Sequence, residues 1–238
     1  MKKIILASAS PRRKELLAQI GLEFEVMPSE VEENPESTLP QDIVIELSRQ
    51  KARDVWGKIA EGDMSVTTGD ADAGAGDTDA GAEDSRADSR MDGQVKDESG
   101  CQVSGREDSL VISADTVVAI EGEILGKPKD EEDAARMLGL LAGKEHQVYT
   151  GVTMIWIDGE GKQEEYSFYV CTGVLMYRMN RAEIMEYVYS GEPMDKAGAY
   201  AVQGRAAAFI KSIRGEYSNV VGLPVGRLYQ EMKAWDLA

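Results

Sequence analysis

Two guanidinium groups in adjacent positions, Arg12 and Arg13, follow Ser10-Pro11 after a short apolar run, Ile4 to Leu6. Pro11 suits the first position of a helix, where a missing N–H is no loss, and Ser10 suits the N-cap before it. Cations in a first helical turn oppose the helix dipole, so local stability does not account for them. A bound anion does: the free N–H groups of a helix start, joined by two arginines, fit a phosphate chain. The plainer account is a solvated pair, or a pairing with Glu15. Ala7, Ser8, Ala9 and Ser10 are small enough to let a ligand come close to the backbone.

A second chemical signal is Asp115, inside the apolar stretch Ser109 to Ile120. A carboxylate in a buried strand must be paired, bound to a metal or shifted in pKa, and beside a phosphate chain it could activate water. An aspartate capping a turn is the structural alternative. Lys127 stands just before Pro128, which holds it in an extended segment. The stretch Gly191 to Gly204 sets Asp195, Lys196, Tyr200 and Gln203 among glycine and alanine, a composition that suits a pocket wall. Glutamine can read the amide edge of a base with two hydrogen bonds. Other polar groups read more plainly. The acidic run Ser29 to Glu33 is expected to be a solvated loop. Lys51 and Arg53 fall near the C-terminal half of a helix, where cations are favoured anyway. His146, the single histidine, lacks a partner nucleophile and is expected to be structural.

These residues need elements to hold them. Ile4 to Ala7 reads as a buried strand. The following helix runs to Ile20, with Leu16, Leu17 and Ile20 on one side and Gly21 ending it. Glu23 to Met27 alternates like a strand, and Leu39 to about Ile59 is a longer helix burying Ile43, Leu47 and Val55. Ser109 to Ile120 is a strand, turned at Glu121-Gly122, and an acid-led helix follows from Asp130 to Leu141. Glu145 to Ile157 and Lys162 to Val174 are expected to form a hairpin joined at Asp158-Gly159. Asn180 with Glu183 matches a capping box, and the helix it starts ends at Gly191. A strand from Ala207 to Ile213 and a closing helix to about Asp236 complete the chain.

Between 61 and 108 the character changes. This window carries 14 acidic and 4 basic residues with few large apolar ones, too little apolar surface to offset the entropy of ordering. It is expected to be a flexible acidic insertion within a single domain spanning 1–238. Its Asp-x-Asp repeats do not match a calcium loop. The formal net charge of −17 argues against broad nucleic-acid binding, which needs a basic face, but leaves room for a small anion in a local basic pocket. Cys101 and Cys171 match no metal spacing. The apolar part of the N-terminus is too short for a secretory signal, and no stretch approaches the ~20 apolar residues of a membrane span. A soluble, cytoplasmic protein without a membrane or nucleic-acid partner is expected.

Six stretches occur in an order that resembles the Maf family of nucleoside triphosphate pyrophosphatases. They are Leu6-Ala-Ser-Ala-Ser-Pro-Arg-Arg13, Ser113-Ala-Asp-Thr-Val-Val118, Gly126-Lys-Pro128, His146-Gln-Val-Tyr-Thr150, Asp195-Lys-Ala-Gly-Ala-Tyr200 with Gln203-Gly204, and Tyr217-Ser-Asn-Val-Val-Gly-Leu-Pro224. The fifth is similar to the family's branch acting on dTTP and UTP. The resemblance implies an α/β fold of the Maf and inosine triphosphate pyrophosphatase-like kind, with a central mixed sheet, a cleft between two lobes, and a homodimer. It implies cleavage between the α and β phosphates, giving a nucleoside monophosphate and pyrophosphate, with a divalent cation, magnesium or manganese.

On that resemblance Asp115 is the general base, and Glu33 joins it near the metal. Arg12, Arg13, Lys51 and Lys127 neutralise the triphosphate, while Thr116 and Gln203, like Arg12, set base choice. Ser8 and Lys196 complete the expected substrate contacts. The acidic insertion and Ser113, where the family usually has glycine, are departures outside this set. A pyrophosphatase for another or a modified nucleotide, and a non-catalytic regulator of septum formation, remain the alternatives.

Overall fold

The computed structural model describes residues 2–61, 67–68 and 109–237. Among them, eight strands form one mixed sheet ordered β3-β2-β1-β4-β6-β7-β8, with β5 pairing back onto β4. The strands are β1 (Lys3–Leu6), β2 (Phe24–Val26), β3 (Thr67–Thr68), β4 (Ser109–Ile120), β5 (Glu123–Leu125), β6 (Glu145–Ile157), β7 (Gln163–Met176) and β8 (Ile210–Arg214). The helices are α1 (Pro11–Gln19), α2 (Pro40–Glu61), α3 (Glu131–Leu141), α4 (Arg181–Tyr189), α5 (Tyr217–Val221) and α6 (Val225–Ala234). β1 runs parallel to β2 and to β4, whereas β4, β6, β7 and β8 are antiparallel neighbours.

The long strands β4, β6 and β7 run the length of the molecule, and different helices cover them at each end. Around their β1 end, Ile4, Leu6, Leu110, Ile112 and Met154 pack on one face against Leu17 of α1 and Leu228 and Met232 of α6. On the other face Ile5, Val111 and Ile155 meet Ala52, Val55, Trp56 and Ile59 of α2. At the far end Val118, Ile120, Val148 and Val174 pack against Leu138 and Leu141 of α3 and Val188 of α4. Period-two alternation along β4 assigns its residues to these faces.

α2 lies unusually close to the sheet at one point. A Cβ placed on Gly151 of β6 would sit 2.3 Å from the Val44 carbonyl oxygen of α2, so only glycine allows this approach. Ser113 of β4 donates to the Ser48 carbonyl (2.5 Å), and the Ser48 hydroxyl meets Thr153 of β6 (2.8 Å). These contacts press the middle of α2 onto the strands beside Asp115.

Several local expectations change. The β6–β7 connection is a five-residue loop rather than a two-residue Asp-Gly turn: Ile157 pairs with Gln163, Asp158 N–H donates to the Lys162 carbonyl, and Gly161, not Gly159, takes the left-handed conformation (φ 80). The Asp158 carboxylate causes this by accepting from the backbone N–H groups of Glu160 and Lys162. Residues 205–209 form a 3-10 turn before β8 begins at Ile210, so the strand starts later than Ala207. The tail folds as two helices, α5 and α6, divided at Gly222 and Pro224.

The capping box is present, with Asn180 accepting from Ala182 and Glu183 N–H and Glu183 accepting from Asn180 N–H. Within the span read as an acidic insertion, Glu61 closes α2 and Thr67–Thr68 pairs with Glu25 and Val26 of β2. The remainder of that reading, with Cys101, lies outside the described residues. Among the described residues no helix is long and apolar enough to cross a membrane.

Candidate active site

The site begins with a gap in the sheet. β6 pairs with β4 from Leu110 to Ala119 along one edge. On the opposite edge β1 pairs only as far as Ile112, and β5 begins only at Val118. The edge of β4 between these two, centred on Asp115, is therefore open. β1 ends in the small-residue turn Ala7 to Ser10, which leads into α1. Alternation sends Asp115 to the α2 face and Thr116 to the face of α1 and α5. One cavity of about 680 Å³ occupies the gap, within the size range of small-ligand sites.

All ten residues singled out from the sequence line this cavity: Ser8, Arg12, Arg13, Glu33, Lys51, Asp115, Thr116, Lys127, Lys196 and Gln203. They come from six separated segments. Lys51, read from position alone as an ordinary cation near the C-terminal half of its helix, lies just past the middle of α2 and is carried inward by the close packing at Gly151. Its ammonium lies 2.5 Å from Asp115 Oδ1 and 2.8 Å from Glu33 Oε1. Glu33 lies on an exposed loop, as read, with its side chain 54% exposed, and still reaches the cavity. Burial pushes its carboxyl up, but the hydrogen bond from Lys51 and the charges of Lys51, Lys127 and Arg13 outweigh this and hold it below the usual range. Arg53, the other cation read there, pairs with Glu165 of β7 away from the cavity (2.8 Å).

Arg13 is tied down at three points. Its Nε donates to the Gly222 carbonyl (2.8 Å), Nη1 to Ser8 Oγ (3.1 Å) and Nη2 to Thr116 Oγ1 (3.2 Å). Burial lowers its pKa, opposed by Asp115 and Glu33, yet a guanidinium stays charged at any ordinary pH. Arg12 instead reaches across the cavity to Asp195 (3.3 Å), which also pairs with Lys196. For Asp195 too, burial acts upward and is outweighed, here by Lys196 and Arg12. Ser10 occupies the N-cap position of α1 as read, but its side chain caps nothing. Its own N–H is instead drawn to Ser8 Oγ (3.3 Å).

The support behind Thr116 was not legible in the sequence. Thr150 Oγ1 donates to the Asn219 carbonyl (3.0 Å) and lies 3.0 Å from Thr116 Oγ1. Because the single Thr150 proton goes to Asn219, Thr116 must donate to Thr150 while accepting from Arg13. One lone pair remains, so towards a ligand Thr116 can only accept. Asn219 anchors α5 by donating to the Val148 carbonyl (3.1 Å) and Thr172 Oγ1 (3.0 Å). The one available signal was that Thr150 and Asn219 both fell inside motifs. His146 is fully buried and bonds Tyr200 in the cavity wall through Nε2 (2.8 Å), while its Nδ1 is buried without a partner.

The carboxylates that could hold a cation together are Glu33 and Asp115, which share one positive partner, Lys51. Among the described residues no group of three or more histidine, cysteine, aspartate or glutamate side chains could hold a metal. Two hard oxygen ligands fit magnesium or manganese, which keep waters and take substrate phosphates as further ligands. They do not suit a softer metal needing a full protein cage.

The fold and this cavity define an α/β protein with a positively charged, carboxylate-bearing cleft at mid-strand. Residues 3–235 match the family described as Maf-like protein. A dTTP/UTP pyrophosphatase of Agathobacter rectalis is 49% identical over 98% of this chain and 97% of its own length. Proteins of the same name from Lachnoclostridium phytofermentans and Carboxydothermus hydrogenoformans are 41% and 42% identical, covering 100% and 98% of this chain and 97% and 98% of their own. The chain belongs to the Maf family.

Proposed function

We propose that this protein hydrolyses dTTP and UTP between the α and β phosphates, releasing the monophosphate and pyrophosphate. One observation carries the proposal: a chain of net charge −17 gathers Arg12, Arg13, Lys51, Lys127 and Lys196 around one cavity, against three acids there, Glu33, Asp115 and Asp195. A basic pocket in an acidic protein selects a small polyanion over nucleic acid. The names of the relatives add the reaction and the bases.

In this reading Arg13 and Lys127 hold the phosphate chain, and Arg12 and Lys196 leave Asp195 to join them. These cations offset the charge that builds on the departing pyrophosphate. Asp115 takes a proton from the attacking water. Glu33 and Asp115 would hold a divalent cation, magnesium or manganese, which when bound would polarise phosphate oxygens and acidify water. Thr116 accepts and never donates, a polarity that matches the N3–H of thymine and uracil and opposes the N3 acceptor of cytosine. Gln203, exposed at the rim, supplies the second contact to the base edge. The homodimer and cytoplasmic location implied by the resemblance belong to the same proposal, the first checked by sedimentation.

The test is pyrophosphate release from a panel of nucleoside triphosphates with magnesium, comparing wild type with Asp115→Asn. Release from dTTP and UTP that the substitution lowers by about two to four orders of magnitude supports both the reaction and the base. Release confined to other nucleotides would overturn the base assignment, and no release from any would overturn the reaction.

A further inference from the structure

The Lys51 ammonium lies between two of the three carboxylates that line this cavity, 2.5 Å from Asp115 and 2.8 Å from Glu33. Its side chain is 15% exposed and that of Asp115 12%, so water does little to screen their contact, whereas the Glu33 side chain is 54% exposed. A divalent cation bridging Asp115 Oδ1 and Glu33 Oε1 would take the place the ammonium now fills. Two cations cannot share it, because like charges at that separation repel strongly in a partly dehydrated cleft.

We propose that Lys51 is an exchangeable internal cation that closes the Glu33–Asp115 pair to metal until a nucleoside triphosphate draws the ammonium away. The proposal rests on the reading that Glu33 and Asp115 hold a divalent cation. Three further observations carry it. The Lys51 ammonium ends a four-carbon stem with several rotatable bonds and is held only by the two carboxylates, whereas Arg13 is fixed by three hydrogen bonds. α2, which carries it, is locked against the sheet at Gly151, so the exchange needs only the side chain. The ammonium stands in the same cavity as Arg12, Arg13 and Lys127, so a triphosphate bound there offers it phosphate oxygens within reach. The consequence is obligatory coupling. Metal alone binds weakly, triphosphate alone leaves Glu33 and Asp115 facing each other without a partner, and the two together give both carboxylates and the ammonium a partner. By linkage each raises the affinity of the other by the same factor.

The experiment measures Mn2+ binding to the full-length protein by electron paramagnetic resonance, with and without the α,β-methylene analogue of dTTP. Wild type should bind Mn2+ weakly alone and roughly 5–150-fold more tightly with the analogue, the usual range of coupling between sites. Lys51→Met should bind Mn2+ tightly without the analogue and lose most of the coupling. Its melting temperature should fall without metal and recover on adding Mn2+, while Lys51→Arg keeps the weak metal binding of wild type. Equal Mn2+ affinity of wild type with and without the analogue would overturn the exchange yet leave the metal reading standing. Unchanged Mn2+ affinity in folded Lys51→Met would do the same. If Lys51→Met does not fold, Lys51→Gln takes its place, and unchanged Mn2+ affinity in the folded Lys51→Gln protein without the analogue overturns the exchange, because the triphosphate tightens Mn2+ binding by direct ligation in any case. No Mn2+ binding under any condition would overturn the metal reading itself, and the exchange with it.

Discussion

At the scale of single residues, proton accounting separates a hydroxyl that reads a base from one that merely fills space. Thr116 has its proton directed to Thr150 because Thr150 spends its own on the Asn219 carbonyl. Thr150→Val removes that acceptor and frees Thr116 to donate into the cavity. The ratio of kcat/KM for UTP over CTP should then fall by roughly tenfold, about one hydrogen bond's worth of discrimination. An unchanged ratio would show that Thr116 does not face the base. His146 offers a second residue-scale test. Burial pushes its pKa down from 6.5 to about 4, so between those values the unfolded chain binds the extra proton. Stability is therefore complete above about pH 6.5 and is lost as pH falls towards 4, by about 3 kcal/mol at most. Urea unfolding at pH 7 and pH 5 should show this loss in wild type and a smaller one in His146→Gln. An equal loss in both would assign it to the carboxylates instead.

At the scale of elements, the gap in the sheet is the decisive feature. β1 is short and β5 starts late, so β4 keeps an open edge around Asp115, and α2 must come close to place Lys51 opposite it. Gly151 permits that approach. In Gly151→Ala the new Cβ would meet the Val44 carbonyl at 2.3 Å, and α2 must lift away from the strands. The expected cost is about 1–3 kcal/mol of stability, as for other overpacked positions. Turnover should fall more than stability alone explains, because Lys51 moves with its helix. Urea midpoints beside kcat/KM would separate the two. Loss of stability with unchanged turnover would mean that α2 placement is not what sets the lysine.

At the scale of the whole molecule, charge distribution sets two opposing fields. The cavity is basic, while the chain as a whole is strongly acidic. Deleting residues 62–107 removes 12 acidic and 4 basic residues and takes the formal charge from −17 to −9. The deletion should leave kcat for dTTP near wild type. It should raise kcat/KM at low ionic strength, because the net negative charge opposing an approaching triphosphate falls, and the gain should vanish at about 1 M salt, where the Debye length shrinks to ~3 Å. Loss of kcat in a folded deletion protein would instead make the segment part of the working site.

Much of this was written in local sequence. Pro11, the Asn180–Glu183 box and the alternation of apolar residues act over a few positions, so the helix starts and most strand limits followed from them. The phosphate reading of Arg12 and Arg13 was local too, since dipole and charge conflict within one turn. Turns were less legible: the Asp158 carboxylate outbid the Asp-Gly signal by capping two N–H groups, and the 3-10 turn before β8 has no pattern of its own. The placement of Lys51 could not be read locally, because a lysine near the C-terminal half of a helix looks the same whether it meets water or two carboxylates 64 and 18 positions away. Nor could the polarity of Thr116, which depends on protons routed through β6 and α5. The sequence by itself determined the elements, the family and which side chains could do chemistry. Only the tertiary structure decided which of them meet, because pairing of distant segments depends on where β1 stops and how closely α2 approaches β6.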